Sequence, residues 1–234
     1  MRRFYREVEI AGEGGSHRVL LDGVPVRTAA KRDLALPTAA LAVAIAAEWR
    51  DQGEIVQPAS MPLTRLASTA QDRLPGMRAA AIAELIGYAD TDLLCYRAAA
   101  PVDLALRQQQ AWQPLLDWAA GSHGARLVVT TAIVPVAQPA AAVRALRAAV
   151  EALDDWSLVG LHGATTAVGS LILGLALLEG RIDAGQAFAA SLLDELFEIE
   201  RWGEDAEAER RHATLRRDLE AAATFLDALA RGRA

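Results

Sequence analysis

The stretch LVGLHGATTAVGSLILGLALL, residues 158–178, carries no charged side chain over 21 positions and decides how the chain is organised. A run of this length could span a bilayer, or it could form an apolar helix buried at the centre of a bundle. It includes His162, Ser170, two threonines and four glycines, and the chain has no second segment of this kind. We therefore expect a buried helix over 156–179 in a soluble protein, without stable insertion into a membrane.

The composition predicts a mostly helical protein with an aliphatic core. Apolar residues make up 53% of the 234 residues and aromatic residues only 5%, so alanine and leucine, both strong helix formers, dominate. The net charge of −6 argues against a nucleic-acid partner, because such binders normally carry a basic balance. Arginine pairs at 210–211 and 216–217 are interleaved with acids, which is typical of a solvated helix face.

The chain offers few groups for metal, redox or cofactor chemistry. Cys95 is the single cysteine, so no internal disulfide can form, and its apolar neighbours favour a buried, inert thiol. The four histidines lie far apart, and neither a metal-ligand spacing nor a phosphate-binding glycine motif is present. We expect no metal and no cofactor.

The first thirty residues favour short strands. Val8 and Ile10 alternate with charged neighbours, and residues 18–21 form a second apolar run. Asp22-Gly23 is a strong signal for a two-residue hairpin turn, because both positions accept positive φ. Helices follow, with predicted starts at Pro37, Ser60, Pro75, Asp103, Pro139, Asp154, Asp183 and Glu204.

One later segment departs from this helical pattern. Residues 127–131 and 133–134 are dominated by β-branched side chains, which predicts a short β-rich segment. Beyond it, Asp183 is expected to cap a helix that runs to Glu200, with Gly203 marking the break that follows.

Residues 194–205, DELFEIERWGED, combine acids with large apolar side chains. On a helix, Asp194 and Glu198 share one face, and Trp202 adds an aromatic group. This mixture suits a binding surface with an aromatic anchor and a charged rim, the end of an ordinary amphipathic helix, or paired carboxylates for acid–base catalysis. The residues alone leave these interpretations open.

His162 is the second candidate for chemistry, because it lies inside the apolar stretch. A histidine there could be a base with a perturbed pKa, working with an acid from 194–204 in a small-molecule enzyme. The competing interpretation is a core histidine whose hydrogen bonds are satisfied within the fold.

Six motifs, taken in order, resemble one known family. They are Arg3-Phe4-Tyr5, VLLDGVPVRT at 19–28, LPT at 36–38 with AEW at 47–49, MPLTRLA at 61–67, DTDLLCY at 90–96, and WGED at 202–205. Together they resemble the ATP-twelve family of assembly chaperones, which hold the alpha subunit of the F-type ATP synthase catalytic head. The resemblance extends over nearly the whole chain.

The resemblance implies an α+β fold and a binding function. With a plausible linker at 98–101, we expect a small β-containing N-terminal domain at 1–97. A mainly helical, orthogonal-bundle-like domain is then expected at 98–234, with the apolar helix 156–179 at its core. The family implies no catalytic activity and no cofactor. The implied partner is the unassembled alpha subunit, whose beta-facing interface is apolar and prone to aggregation until it is covered.

Carried onto this sequence, the resemblance suggests a set of contact residues within 194–205. They are Asp194, Glu195, Glu198, Trp202, Glu204 and Asp205. Trp49 and Gly203 are expected to support the structure, the first by packing and the second as a break. The N-terminus shows neither the apolar core of a signal peptide nor the targeting extension of eukaryotic members, so a bacterial cytoplasmic location is expected.

Overall fold

The structure, a computed structural model, describes residues 1–132 and 134–232, without the side chain of Glu13. The α-helices and strands of this part are β1 Val8–Glu13, β2 Ser16–Leu21, β3 Val24–Pro25, α1 Ala39–Arg50, α2 Pro62–Asp72, α3 Leu74–Asp90, α4 Val102–Ser122, α5 Ala140–Glu151, α6 Asp155–Val168, α7 Leu171–Leu178, α8 Ala184–Ser191, α9 Leu193–Trp202 and α10 Ala206–Ala230. Short 3-10 helices lie at Pro58–Ser60 and Leu93–Cys95. A small N-terminal sheet followed by helices confirms the predicted α+β class.

The chain divides into two compact units. The first comprises Met1–Arg78, Asp154–Gly160 and Ala221–Ala234, and the second comprises Ala79–Leu153 and Leu161–Glu220. Each unit combines segments from distant parts of the sequence.

The sheet of the first unit is antiparallel, with the strand order β1-β2-β3. Asp22 and Gly23 join β2 to β3 with φ angles of 49° and 79°, so the predicted hairpin turn is confirmed. The Asp22 carboxylate also accepts hydrogen bonds from the backbone N–H groups of Glu7 and Arg6, and these bonds lower its pKa. The turn thereby fastens the chain segment that enters β1.

Helix α1 packs on this sheet, and Thr38 is its N-terminal cap. The Thr38 hydroxyl accepts a hydrogen bond from Leu41 N at 3.1 Å and donates one to the Ala228 carbonyl at 2.8 Å. Thr38 therefore links the start of α1 to the last turns of α10. The core beneath α1 contains aliphatic side chains and two residues of α10. The aliphatic residues are Val19, Leu36, Leu41, Ile45 and Ala46, and those of α10 are Phe225 and Leu229.

Glu48 and Trp49, adjacent on α1, face different neighbours. The half-buried Glu48 carboxylate accepts hydrogen bonds from Leu63 N at 2.6 Å and Thr64 N at 2.8 Å. It thus serves as the N-terminal cap of α2, whose own capping position supplies no side-chain acceptor. Trp49 packs against the first unit's core, with its ring edge-on to Tyr5 at 5.6 Å.

The apolar stretch 158–178 does not form the single helix predicted over 156–179. It forms α6 and α7, separated at Gly169, which has φ +69°, and Ser170. The Ser170 hydroxyl caps α7 by accepting a hydrogen bond from Leu173 N at 3.0 Å. Capping is the physical reason for the break, because a serine followed by helix formers can begin a new helix. No helix of the described residues is long and apolar enough to cross a membrane.

The buried Asp92 of the second unit also contributes to the break between α6 and α7. Its carboxylate accepts hydrogen bonds from the Ser170 hydroxyl at 2.8 Å, from Ile172 N at 3.1 Å and from Leu94 N at 3.1 Å. Burial raises the pKa of Asp92 to about 6, although these hydrogen bonds act in the opposite direction. One carboxylate therefore ties the turn before Leu94 to the start of α7.

The prediction of a β-rich segment at 127–131 and 133–134 is wrong for the residues that the structure describes there. They form no strand, only an isolated bridge between Tyr96 and Thr130, and Ile133 lies outside the described residues. The reason is visible at Val128, whose N–H and C=O are both bonded by the Gln138 side-chain amide, at 2.7 and 3.0 Å. This amide takes the place of a neighbouring strand.

The single helix predicted from Asp183 to Glu200 is also divided. Asp183 caps α8, as expected, in a reciprocal arrangement with Gln186. Helix α8 then ends at Ser191, and α9 starts at Leu193 after the single intervening residue Leu192. Beneath the break, the buried Trp112 of α4 donates its indole N–H to the Ala190 carbonyl at 2.9 Å. This bond uses a carbonyl near the end of α8, where helical partners are missing.

Candidate functional site

The acidic stretch 194–205 forms most of α9 and a short joint of three residues before α10. Gly203 ends α9 with φ +86° and ψ 165°, a conformation that is essentially restricted to glycine. Asp205 caps α10, accepting from Ala208 N at 2.8 Å and from Glu207 N at 2.9 Å, and these bonds lower its pKa. We refer to residues 203–205 as the α9–α10 joint.

Helix α9 is held by one buried aromatic residue and a set of ion pairs. The Phe197 ring is buried, and the guanidinium groups of Arg107 and Arg201 lie 5.1 and 4.0 Å from its centroid. Arg107 of α4 is paired with Glu200 at 2.7 Å, and Arg201 is paired with Asp103 of α4. These contacts fix which face of α9 is turned towards α4.

Asp194, at the start of α9, is engaged in the same interface with α4. Its carboxylate accepts a hydrogen bond at 2.7 Å from the side-chain amide of Gln108. Gln108 is fully buried, and its amide oxygen accepts a second hydrogen bond from Ala98 N. Asp194 therefore satisfies a buried amide within the fold.

Glu195 and Glu204 are both bound to residues of α10. Glu195 is paired with Arg211, and its Oε1 lies 3.1 Å from Nε2 of His212. Glu204 Oε1 lies 2.6 Å from the other ring nitrogen, Nδ1, of the same histidine. His212 is only 7% exposed, so it is a buried link between α9, the joint and α10.

Glu198 and Trp202 differ from the other predicted contact residues. Glu198 is exposed, and its side chain makes no hydrogen bond or ion pair within residues 1–132 and 134–232. Trp202 is 82% exposed, the highest value among the large apolar side chains described. They are four positions apart on α9 and therefore lie on the same side of the helix. An exposed indole beside an unpaired carboxylate is the arrangement expected of an anchor with a charged neighbour.

A groove of about 500 Å³ lies on the other side of α9. Leu193, Leu196 and Phe197 of α9 line it, and Pro114 of α4 lies opposite. Pro114 has no N–H, so the Gln110 carbonyl, one turn earlier, lacks its usual helical partner. The groove is predominantly apolar.

The structure gives His162 a partner that the sequence did not suggest. Its Nε2 lies 3.0 Å from Glu84 Oε2 of α3, and its side chain is 32% exposed. The acids of 194–204 are bonded instead to α4 and α10, apart from the exposed Glu198. His162 is therefore neither a core histidine nor paired with the acids proposed for catalysis.

The remaining candidate groups are the single cysteine and the side chains that could bind a metal ion. Cys95 is buried, and burial raises the pKa of its thiol to about 12, so it is protonated near neutral pH. In the part of the chain that the structure describes, no group of three or more histidine, cysteine or acidic side chains could hold a metal ion.

Comparison with known proteins identifies the family. The family model described as the ATP12 chaperone protein matches residues 2–120, just over half of the chain. The chain belongs to the ATP12 chaperone family. The predicted family is therefore confirmed.

Solved and curated proteins extend this likeness beyond residue 120. The crystal structure of Atp12 from Paracoccus denitrificans is 45% identical with a TM-score of 0.92, covering 97% of this chain and 98% of that one. A candidate chaperone from Agrobacterium tumefaciens is 40% identical with a TM-score of 0.92, covering 97% of this chain and 86% of that one. The mitochondrial protein atp12 of Schizosaccharomyces pombe is 25% identical over 219 residues, which are 88% of this chain and 75% of that protein.

The ATP12 family model ends before α9, so residues 194–205 lie outside its match. The sequence-based reasoning found the acids of this surface but missed their partners Arg107, Gln108, Arg211 and His212. One signal could have found two of them: the acidic stretch and the basic run 210–217 flank a glycine break, which favours a helix pair joined by ion pairs.

Proposed function

We propose that this ATP12-family chain is a non-catalytic assembly chaperone for the F-type ATP synthase. It binds the unassembled alpha subunit of the catalytic head and shields the alpha subunit's beta-facing interface until assembly. Such an interface is apolar and aggregates when it is left exposed. In a bacterium, this takes place in the cytoplasm.

The observation that carries the proposal is the exposed pair of Trp202 and Glu198. A large indole that stays exposed to water is unfavourable in the free chain. A partner that covers it therefore gains substantial binding energy. The Glu198 side chain adds a charge without a partner among the described residues, so its pairing with a basic client residue would break no contact that the structure describes. Asp194, Glu195, Glu204 and Asp205 contribute by holding this pair in place.

The test is capture of purified alpha subunit by the immobilised full chain. Glu198→Lys should leave the melting temperature unchanged and weaken capture by about three- to tenfold, the range expected for losing one favourable charge contact and adding a repulsive one. The matched control is Glu54→Lys, which makes the same charge change at an exposed glutamate of the first unit whose side chain makes no hydrogen bond or ion pair within the described residues.

Each outcome has a distinct meaning. Equal capture by the Glu198→Lys and Glu54→Lys variants would show that this surface does not meet the client. Failure of the unmodified chain to retain any alpha subunit would overturn the client assignment itself. Glu195→Lys is a poorer probe, because it also breaks the contacts with Arg211 and His212 and should lower stability.

A further inference from the structure

His212 is the one described histidine that lies between two carboxylates. Its Nδ1 is 2.6 Å from Glu204 Oε1, a short hydrogen-bond distance, and its Nε2 is 3.1 Å from Glu195 Oε1. The second contact lacks the alignment of a hydrogen bond. Its attraction therefore depends on charge more than on direction.

The charge state of the ring decides whether both contacts are favourable. Neutral imidazole carries one N–H, whereas imidazolium carries two. A neutral ring that keeps its Nδ1–H bond to Glu204 leaves Nε2 unprotonated and electron-rich 3.1 Å from Glu195 Oε1, and the two atoms repel each other. Protonation replaces that repulsion with an ion pair, and burial of the ring makes the difference larger than it would be in water.

Other charged groups around His212 leave this dependence in place. Arg211, the preceding residue, is paired with Glu195 and lowers the negative charge that faces the ring. Phe188 of α8 contacts the imidazole edge-on at 5.9 Å, and the Arg216 guanidinium covers that phenyl ring at 4.1 Å. Glu204 has no second cation within the described residues, so His212 is its one source of positive charge.

We propose that His212 is a positioning residue whose protonation clamps the α9–α10 joint and thereby the exposed Trp202, so that capture of the client weakens as pH rises. The regulation of capture rests on the function proposed above, whereas the clamp itself does not. The sign follows from the contacts: the ion pair with Glu195 is present while the ring is protonated and is lost when the ring releases its proton.

The clamp can be tested in the free, full-length chain by NMR. In a pH titration, the Trp202 indole and the Gly203 amide should shift with the same midpoint as the His212 ring. In the His212→Gln variant this shift should disappear. The matched control is His162→Gln, which removes a half-buried histidine that has a single glutamate partner. An indole resonance that ignores the His212 titration would overturn the clamp.

Capture of alpha subunit is then measured at one pH where the NMR titration finds the His212 ring protonated and at a higher pH where it finds the ring neutral. The unmodified chain and the His162→Gln variant should lose about threefold in affinity at the higher pH, as expected for one ion pair, whereas His212→Gln should bind equally at both. An equal pH dependence in all three chains would refute regulation through His212. Absence of capture at every pH would refute the chaperone function, while the indole titration would still decide the clamp.

Discussion

The Ser170 hydroxyl donates a 2.8 Å hydrogen bond to the buried carboxylate of Asp92, 78 residues earlier in the chain. Ser170 also caps α7, so one serine starts the helix and joins it to a distant turn. The arrangement explains why an apolar stretch of this length is divided, because a buried carboxylate requires donors and the first turn of α7 supplies them.

Asp92→Ala should destabilise the chain more than an ordinary surface substitution. It leaves Ile172 N–H, Leu94 N–H and the Ser170 hydroxyl without their acceptor in a buried site, at a cost of about 2–4 kcal/mol. Asp90→Ala, at an exposed aspartate, is the control and should change stability by less than about 0.5 kcal/mol. Urea unfolding measures both, and equal losses would show that the Asp92 contacts do not stabilise the fold.

The same residue should make stability depend on pH. The pKa of Asp92 is about 6 in the folded chain and 3.8 when unperturbed, so the folded state binds more protons between those values. Stability therefore falls as pH rises from about 4 to about 6, by roughly 3 kcal/mol from this group. The loss caused by Asp92→Ala should be larger near pH 4 than near pH 7. An unchanged loss across this range would contradict the raised pKa.

The apolar stretch also shows what the sequence could and could not predict. The absence of charge over 158–178 correctly indicates burial, since Leu158, Leu161, Leu171 and Leu173 are fully buried. The division into α6 and α7 accompanies both the Ser170 cap and its hydrogen bond to Asp92, and nothing local indicates which of several polar residues in the stretch meets a distant partner. Hairpin turns are predicted better, because Asp22-Gly23 determines its own geometry.

Glu48→Ala should destabilise the first unit by removing the cap of α2. The N–H groups of Leu63 and Thr64 lose their acceptor, and loss of an N-terminal cap together with a partly buried contact costs about 1–3 kcal/mol. Glu54→Ala removes an exposed glutamate of the same unit and should be nearly neutral. Thermal unfolding followed by circular dichroism distinguishes them, and a neutral Glu48→Ala variant would contradict the capping role.

Gly203→Ala tests the strain at the α9–α10 joint. An alanine cannot adopt φ +86° and ψ 165° without strain of about 1–3 kcal/mol. Gly121→Ala is the matched control, because Gly121 lies in α4 with a negative φ and with free space around a new Cβ. Alanine there should raise the free energy of unfolding by on the order of 0.5 kcal/mol. Chemical denaturation would show opposite signs for the two variants; a stabilising Gly203→Ala would mean that the joint adopts another conformation in solution.

The secondary structure of residues 194–205 was predicted from the sequence, but the contacts of their acids were not. The residue types in 194–205 correctly indicate an amphipathic helix followed by a break, because periodicity and Gly203 are local signals. Which acids remain available is a tertiary property: Asp194 is bonded to Gln108, and Glu195 to Arg211. Sequence spacing gives all of these acids equal weight, whereas the structure leaves Glu198 without a partner among the described residues.

Trp202→Ala should separate binding from stability. The indole is 82% exposed, so its removal should change the free energy of unfolding by less than about 0.5 kcal/mol. Capture of alpha subunit should nevertheless weaken by about thirtyfold or more, because truncation of an aromatic anchor commonly costs about 2 kcal/mol or more of binding energy. Trp112→Ala is the contrasting variant: this tryptophan is 1% exposed and donates to Ala190, so its loss should cost about 3–5 kcal/mol of stability. Capture measured per folded molecule should be retained by Trp112→Ala and lost by Trp202→Ala, and the reverse pattern would move the contact surface away from the end of α9.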